Sequence, residues 1–269
     1  MSLRIQHNVA AANAHRQLTN ASDKVKQSME RLSSGYRINS GADDAAGLGI
    51  SERMRSQIRG LAQAQRNTQD GVSMVQTAEG ALAEVHSMLQ RVRELAVQYK
   101  NGSLSTTDRT AIEAEVSQLQ AEVQRIGSQS EFNGIKLLNA DQAISFQVGA
   151  NDTDVIGVNT IDLSSTIGTT AFNLTVTGTA DLAELDAAIS SVSTQRGSFG
   201  AIQNRLEHTL NAMAVYQENL VAAESRIRDV DMAEEMVTLT KEQILSQASQ
   251  AMLAQANQQP QAVLQLLQG

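Results

Sequence analysis

Four histidines, His7, His15, His86 and His208, are the groups best suited by pKa to move protons or bind a metal near neutral pH. None begins an H-E-x-x-H pair, the spacing that sets two imidazoles on one helical face around zinc. Each reads as a surface position on a helix. The run Asn151-Asp152-Thr153-Asp154-Val155-Ile156-Gly157 has the oxygen density of a calcium loop. Counted from Asp152, however, the fifth position is Ile156 and the twelfth is Leu163, so two required oxygens are missing. The run reads as an Asp-rich turn. Ala46-Gly47-Leu48-Gly49 follows no strand pattern and lacks the third glycine of a dinucleotide loop. The acid pairs Asp43-Asp44 and Glu234-Glu235 are helix neighbours whose side chains diverge, so neither can flank a scissile bond. Met232, Met236 and Met252 read as seam fillers rather than as a functional methionine face. With no cysteine, thiolate metal sites and disulfides are excluded. The residues predict no enzyme, no cofactor and no metal.

What the residues do carry is helical periodicity. From Val75 every seventh residue is Val75, Leu82, Leu89 and Ala96; from Ala78 it is Ala78, Val85, Val92 and Tyr99. Gaps of three and four alternate without a miss, which is a heptad seam that needs a partner helix. The row Leu185, Val192, Phe199, Leu206, Met213, Leu220, Ile227 supplies it. The expected bundle seam is Val75, Leu82, Val85, Leu89 and Val92 against Leu206, Met213 and Leu220. Met54, Leu61 and Thr68 extend the first row upstream, so the second helix runs from about Asp43 to Tyr99, roughly 85 Å. Within it, Gly60, Gly71 and Gly80 point to close backbone packing.

The first helix is thinner. Ala11, Leu18, Val25 and Leu32 share its stripe with Ala14 and Ala21, and Ser33-Ser34-Gly35 ends it. An elbow, Gly35 to Ala42, follows. Ser105 to Asp108 fits a capping box that opens a third helix with Ile112, Val116, Leu119, Val123 and Ile126, able to fold back on the second. From Ser128 to about Thr179 the period falls to two: Asn133-Gly134 is a hairpin turn, and Ile144–Val148, Val155–Leu163 and Phe172–Val176 read as strands. A last helix carries Val237, Ile244, Leu245 and Met252 before Pro260, which is expected to interrupt it ahead of Leu264.

The fold expected is mainly α: a long antiparallel helical bundle formed by paired N- and C-terminal halves, with a small β-hairpin region between them. Boundaries are expected at 1–42, 43–128, 129–180, 181–228 and 229–269. Leu18, Val25, Leu32, Val237, Ile244, Leu245, Met252 and Leu264 are expected to pack the two terminal helices. The apolar stripe of the last helix is too sparse to hold it folded alone. Order in residues 1–40 and 230–269 is therefore expected only on assembly.

Composition agrees. Hydrophobic content is 41% but aromatic content only 3%, with no Trp and one Pro, which suits helix seams rather than a compact globular core. Net charge is −8, yet residues 1–40 carry six Lys/Arg against two acids. Those bases are spaced around a helix without interleaved aromatics, so nucleic-acid binding is not indicated. No stretch approaches the ~18 apolar residues of a membrane span, and residues 1–9 hold no Sec-type apolar run, so export would need another route.

Glu30-Arg31-Leu32-Ser33-Ser34-Gly35-Tyr36-Arg37-Ile38-Asn39-Ser40-Gly41-Ala42-Asp43-Asp44-Ala45-Ala46-Gly47-Leu48 closely resembles the N-terminal signature of bacterial flagellin. Leu89 to Gln98 resembles that family's second motif and Ala256 to Leu264 its C-terminal one; Phe132-Asn133-Gly134 and Gln147 to Asp152 also fit. The outer variable domains of many flagellins have no room between Leu163 and Asp181, so the resemblance is to a minimal form. It implies a subunit of the extracellular flagellar filament that polymerises with itself, passes unfolded through the flagellar type III apparatus, and meets an export chaperone, cap and hook-associated proteins. It also implies two host receptors. A Toll-like receptor would contact Leu89, Arg91, Leu95 and Glu115, with Arg91 giving charged hydrogen bonds and Leu95 an apolar knob. A plant receptor kinase would read Arg31, Leu32, Arg37, Ile38, Asn39, Asp43, Asp44 and Gly47, although Ala42 stands where a Lys is usual. The alternatives are a hook–filament junction protein, another secreted coiled-coil type III substrate, or a flagellin with an inserted metallopeptidase, which the missing H-E-x-x-H opposes.

Overall fold

The computed structural model describes residues 8–167, 172 and 180–268, with side chains omitted at 164, 166, 180, 181 and 259–268. Six helices and two hairpins follow one another among the described residues: α1 (Val9–Ser34), α2 (Ala45–Tyr99), α3 (Thr106–Gln129), β1 (Glu131–Phe132), β2 (Ile135–Lys136), β3 (Ala143–Gln147), β4 (Val155–Asn159), α4 (Leu163–Ile167), α5 (Ala180–Arg228) and α6 (Met232–Gln268). The chain divides into two compact units, 1–56 with 220–269, and 57–219.

In the 57–219 unit the predicted seam is the core. Val75, Leu82, Val85, Leu89 and Val92 are buried with Leu185, Val192, Phe199, Leu206 and Met213. Pairs Arg93–Asp186 (2.6 Å), Glu79–Arg196 (3.8 Å) and Gln65–Gln217 (2.9 Å) tie α2 to α5 with falling and rising numbers, so the helices run antiparallel. The reciprocal capping box at Ser105 and Asp108 starts α3, which folds back on α2 through Arg91–Glu115 and Tyr99–Glu113. Packing on two sides widens the buried face of α2 beyond the heptad seam, and Leu95 is 2% exposed as a result.

The β region lies on the same core. Asn133 (φ 50°) and Gly134 (φ 79°) turn β1 into β2, the backbone that Asn-Gly favours. β3 pairs antiparallel with β4 from Ala143–Asn159 to Gln147–Val155. Phe146 of this hairpin rests on Gly71, where an added Cβ would meet the ring at 3.3 Å. Close packing thus explains Gly71, and Gly60 likewise faces Ala150, but Gly80 faces open space. The predicted strand to Leu163 stops at Asn159 and gives way to α4, whose Leu163 packs on Gly127. Of the third expected strand, Phe172 is buried and the rest lies outside the described residues.

The other unit begins with α1, which ends on Gly35 in the left-handed region (φ 75°), its N–H donating to Arg31 O. α6 pairs with α1 antiparallel, and α6 continues through Pro260 rather than stopping there. The unit boundary falls after Ser56 and before Leu220, beyond the 42 and 229 expected. The start of α2 and the end of α5 are held to this unit by Arg228–Glu52 (2.6 Å). Leu220, expected in the bundle seam, falls in this unit and is half-buried.

Candidate assembly surface

Three constellations hold the residues singled out from sequence: the α1·α6 hairpin, the elbow, and the corner of α2 with α3.

α1 contributes Ala14, Ala21 and Ser28 fully and Leu18, Val25 and Leu32 partly to the hairpin, the stripe expected of it. α6 does not contribute the stripe expected. Its inward row is Glu235, Leu239, Glu242, Ser246, Ser249, Leu253 and Ala256, a regular four–three heptad that is mostly polar. Val237, Ile244, Leu245 and Met252 instead point away from α1 and are 44–70% exposed. Charge explains the choice of face. α1 offers small residues flanked by Lys24 and Arg31, which reach Glu242 (3.5 Å) and Glu235 (3.7 Å) on the polar row. The larger apolar row finds no matching groove on Ala and Ser, so it is left outside. Leu264 lies outside the residues with described side chains.

The outer face of α6 is a ridge in i, i+4 steps, Met236-Thr240-Ile244-Ala248-Met252, with Val237, Lys241 and Leu245 beside it. Met236, Val237, Thr240, Lys241, Ile244 and Leu245 line a shallow groove. Among the described residues this is the longest run of large apolar groups left in water.

The elbow is a latch. Arg37 N donates to Arg228 O (2.7 Å), Arg37 Nη2 to Ile227 O (2.7 Å), and Val230 N to Gly35 O (3.1 Å). Arg228 is nearly buried, lies 4.8 Å over the Tyr36 ring centroid, and donates to Glu52. That bond, helped by Arg55, holds the Glu52 carboxyl below the usual carboxylate range. Asp43 accepts from the backbone N–H groups of Ser40 (2.9 Å) and Asn39 (3.2 Å), the Ser40 hydroxyl and Gln27. These donors, Ser40 N–H first, likewise lower its pKa. Asp44 caps α2 by accepting from Gly47 N (2.9 Å). Ile38 and Gly47 are buried, Arg31 and Leu32 belong to the hairpin, and a Cβ on Gly47 would meet Ile38 Cδ1 at 2.8 Å. Sequence reasoning missed Arg228, Glu52 and Tyr36. Glu52 lies 176 residues from Arg228 and Tyr36 farther still, and only the basic last turn of α5 hinted at a role.

At the third place, Arg91 donates to Glu115 on α3 (3.0 Å) and to Glu94 (3.2 Å), which raise its pKa. Arg91 and Glu115 are exposed. Leu89 and Leu95 are not: both lie in the core, so the expected apolar knob at Leu95 is corrected. The α3 helix covers the face on which a knob would have stood.

Histidines, acids and the Asp-rich turn form no metal cluster among the described residues, and no helix there is long and apolar enough to cross a membrane. Residues 5–143 match the bacterial flagellin N-terminal helical region, and residues 182–267 match the bacterial flagellin C-terminal helical region. The chain belongs to the flagellin family. Flagellin of Bacillus subtilis strain 168 is 49% identical across 98% of this chain and 100% of the relative. Flagellin of Halalkalibacterium halodurans is 53% identical across 98% and 99%. The crystal structure of Bacillus cereus flagellin superposes with a TM-score of 0.52 at 34% identity, over 55% of this chain and 88% of that one. This flagellin is therefore a structural subunit of a bacterial flagellar filament and not an enzyme.

Proposed function

We propose that this flagellin polymerises through the outer face of α6, with α1 as the strut that aligns it. The observation that carries the reading is the uncovered ridge from Met236 to Met252. Burying such side chains recovers about 1.5–3 kcal/mol each, and the α1·α6 pairing leaves that free energy unused. A second copy of the same chain is the occupant that a homopolymer supplies at every position. Leu245→Asp places a charge in the contact while the side chain stays in water in the free chain. Nucleated polymerisation followed by electron microscopy is expected to give no filaments, with the circular dichroism spectrum unchanged. Normal filament yield would sink the reading.

Further partners fit the same geometry. Before assembly the ridge suits capture by an export chaperone as an amphipathic helix laid in a groove. Cap and hook-associated proteins would meet the same hairpin at the filament ends. Passage of the unfolded chain through the type III apparatus is favoured by the lack of cysteine and by a hairpin seam rich in Ser and Glu. For the Toll-like receptor, the exposed Arg91–Glu115 pair is the accessible part of the motif. For the plant receptor kinase, Arg37, Asp43 and Asp44 are the exposed part, while Ile38 and Gly47 would require the elbow to open.

A further inference from the structure

We propose that Met236 and Met252 form an oxidation site at which a hydroperoxide switches the free subunit to an assembly-incompetent form. The inference rests on the reading of the α6 ridge given above. Both residues stand at the ends of that ridge, 51% and 64% exposed, and Met236 lines the groove beside Val237, Ile244 and Leu245. In the other unit Met74 is 1% and Met213 5% exposed, and Met88 is partly buried. Met29 and Met232, 54% and 50% exposed, lie outside the groove, so all four exposed thioethers among the described residues fall in the α1·α6 unit and two of them on the proposed contact.

The reaction is an oxygen transfer. A sulfur lone pair attacks the peroxide, the S–O bond forms as the O–O bond breaks, and hydrogen peroxide leaves as water. Sulfur is oxidised to the sulfoxide and the peroxide is reduced, with no net proton uptake. The product is polar and chiral where the thioether was apolar and pliable. A subunit contact that excludes water must then desolvate an S=O group without a partner. In the filament the same sulfurs are covered, so oxidation selects against free subunits and spares assembled ones.

The test uses the full chain. Hydrogen peroxide is applied to monomer and to filament, and peptides are mapped by mass spectrometry. In the monomer, oxygen is expected on Met236 and Met252, as on the equally exposed Met29 and Met232, and not on Met74 or Met213; in the filament, Met236 and Met252 stay reduced. The critical concentration of oxidised monomer is expected to rise about tenfold, because two sulfoxides enter a contact built for thioethers. Methionine sulfoxide reductases A and B, added together, restore growth. The variant M236L/M252L still carries the exposed Met29 and Met232, and its critical concentration, whatever its level beside wild type, is expected not to change on peroxide treatment. Oxidised wild-type protein that assembles like untreated protein overturns the inference, as does a double variant that peroxide still inactivates. If Leu245→Asp also assembles normally, the ridge reading has failed; if Leu245→Asp does not assemble and oxidised protein does, only the oxidation site is lost.

Discussion

The side-chain amide of Asn8 donates to the backbone carbonyl of Ala256 at 2.7 Å, across 248 residues of sequence. Ala256 is four residues before Pro260, and a proline has no N–H to give that carbonyl. Asn8 thus replaces the donor that Pro260 lacks, and α6 continues where the sequence predicts a break. The same side chain caps α1, its Oδ1 accepting from Ala11 N at 3.0 Å. Asn8→Ala is expected to cost about 1–3 kcal/mol for cap and carbonyl together. With Pro260→Ala the carbonyl regains a helical donor, so Asn8→Ala should then cost about 1 kcal/mol less. Melting of filaments assembled from the four chains of this cycle measures the coupling, and equal costs in both backgrounds would rule the relationship out.

The elbow makes a prediction about acid. Glu52 and Asp43 bind protons less tightly in the folded elbow than in the unfolded chain, through Arg228 and the Ser40 N–H respectively. Their contribution is present above the unfolded carboxylate pKa and is lost as pH falls through the lower folded value. Amide exchange at Arg37, Asn39 and Ser40, corrected for intrinsic rate, should therefore accelerate on acidification from neutral to about pH 3. Glu52→Gln should show part of that acceleration already at neutral pH. Rates independent of pH in wild-type protein would contradict this.

The hairpin register is set by charge rather than by apolar fit. Arg31 meets Glu235 and Lys24 meets Glu242 on the polar row of α6. Arg31→Glu or Glu235→Arg alone leaves like charges facing in a half-buried seam. Each is expected to cost about 1–3 kcal/mol, and the two together should restore most of it. A double-mutant cycle on the melting of assembled filaments checks this; strictly additive losses would mean that the pair does not specify register.

Much of this was legible in the sequence because helices repeat. The bundle seam at Val75 to Val92, the Ser105 capping box and the Asn133-Gly134 turn each depend on residues close together in the chain. What escaped depends on distant partners. Periodicity marked only the row with Ile244 on α6 and gave no sign that α1 takes the row with Leu239 instead. Only the positions of Lys24 and Arg31 decide that. Likewise the heptad seam gives the width of contact with one partner, whereas α2 has two, so Leu95 moved from surface to core. Arg228 showed only as part of a basic last turn, and nothing local pointed from Asn8 to Ala256.

Leu95 and Arg91 should consequently separate in experiment. Leu95→Ala removes a fully buried side chain and is expected to cost about 2–5 kcal/mol, seen as a lower melting temperature. Arg91→Ala removes an exposed pair and should leave the melting temperature nearly unchanged. In a Toll-like receptor reporter assay, Arg91→Ala and Glu115→Ala are expected to weaken signalling by folded monomer. Full signalling by both would remove the receptor assignment from this corner.

The last prediction concerns order in the hairpin. Its seam buries Ala14, Ala21 and Ser28 against Glu235, Glu242 and Ser249, with Leu239 the one fully buried large apolar side chain of α6 among those described. Ordering each residue costs about 1–2 kcal/mol in backbone entropy, and helical hydrogen bonds return about 0.5–1.5 net. A seam this small cannot make up the difference along the length of α6, whereas the bundle of α2, α3 and α5 has a continuous core. Amides of Ile244 and Leu245 are therefore expected to exchange rapidly in the isolated subunit, while those of Leu82, Val85 and Leu206 stay protected. If the filament covers the outer ridge as proposed, Ile244 and Leu245 should become as protected there as the bundle. Strong protection of these two amides in dilute monomer would show that the α1·α6 pairing is stable by itself.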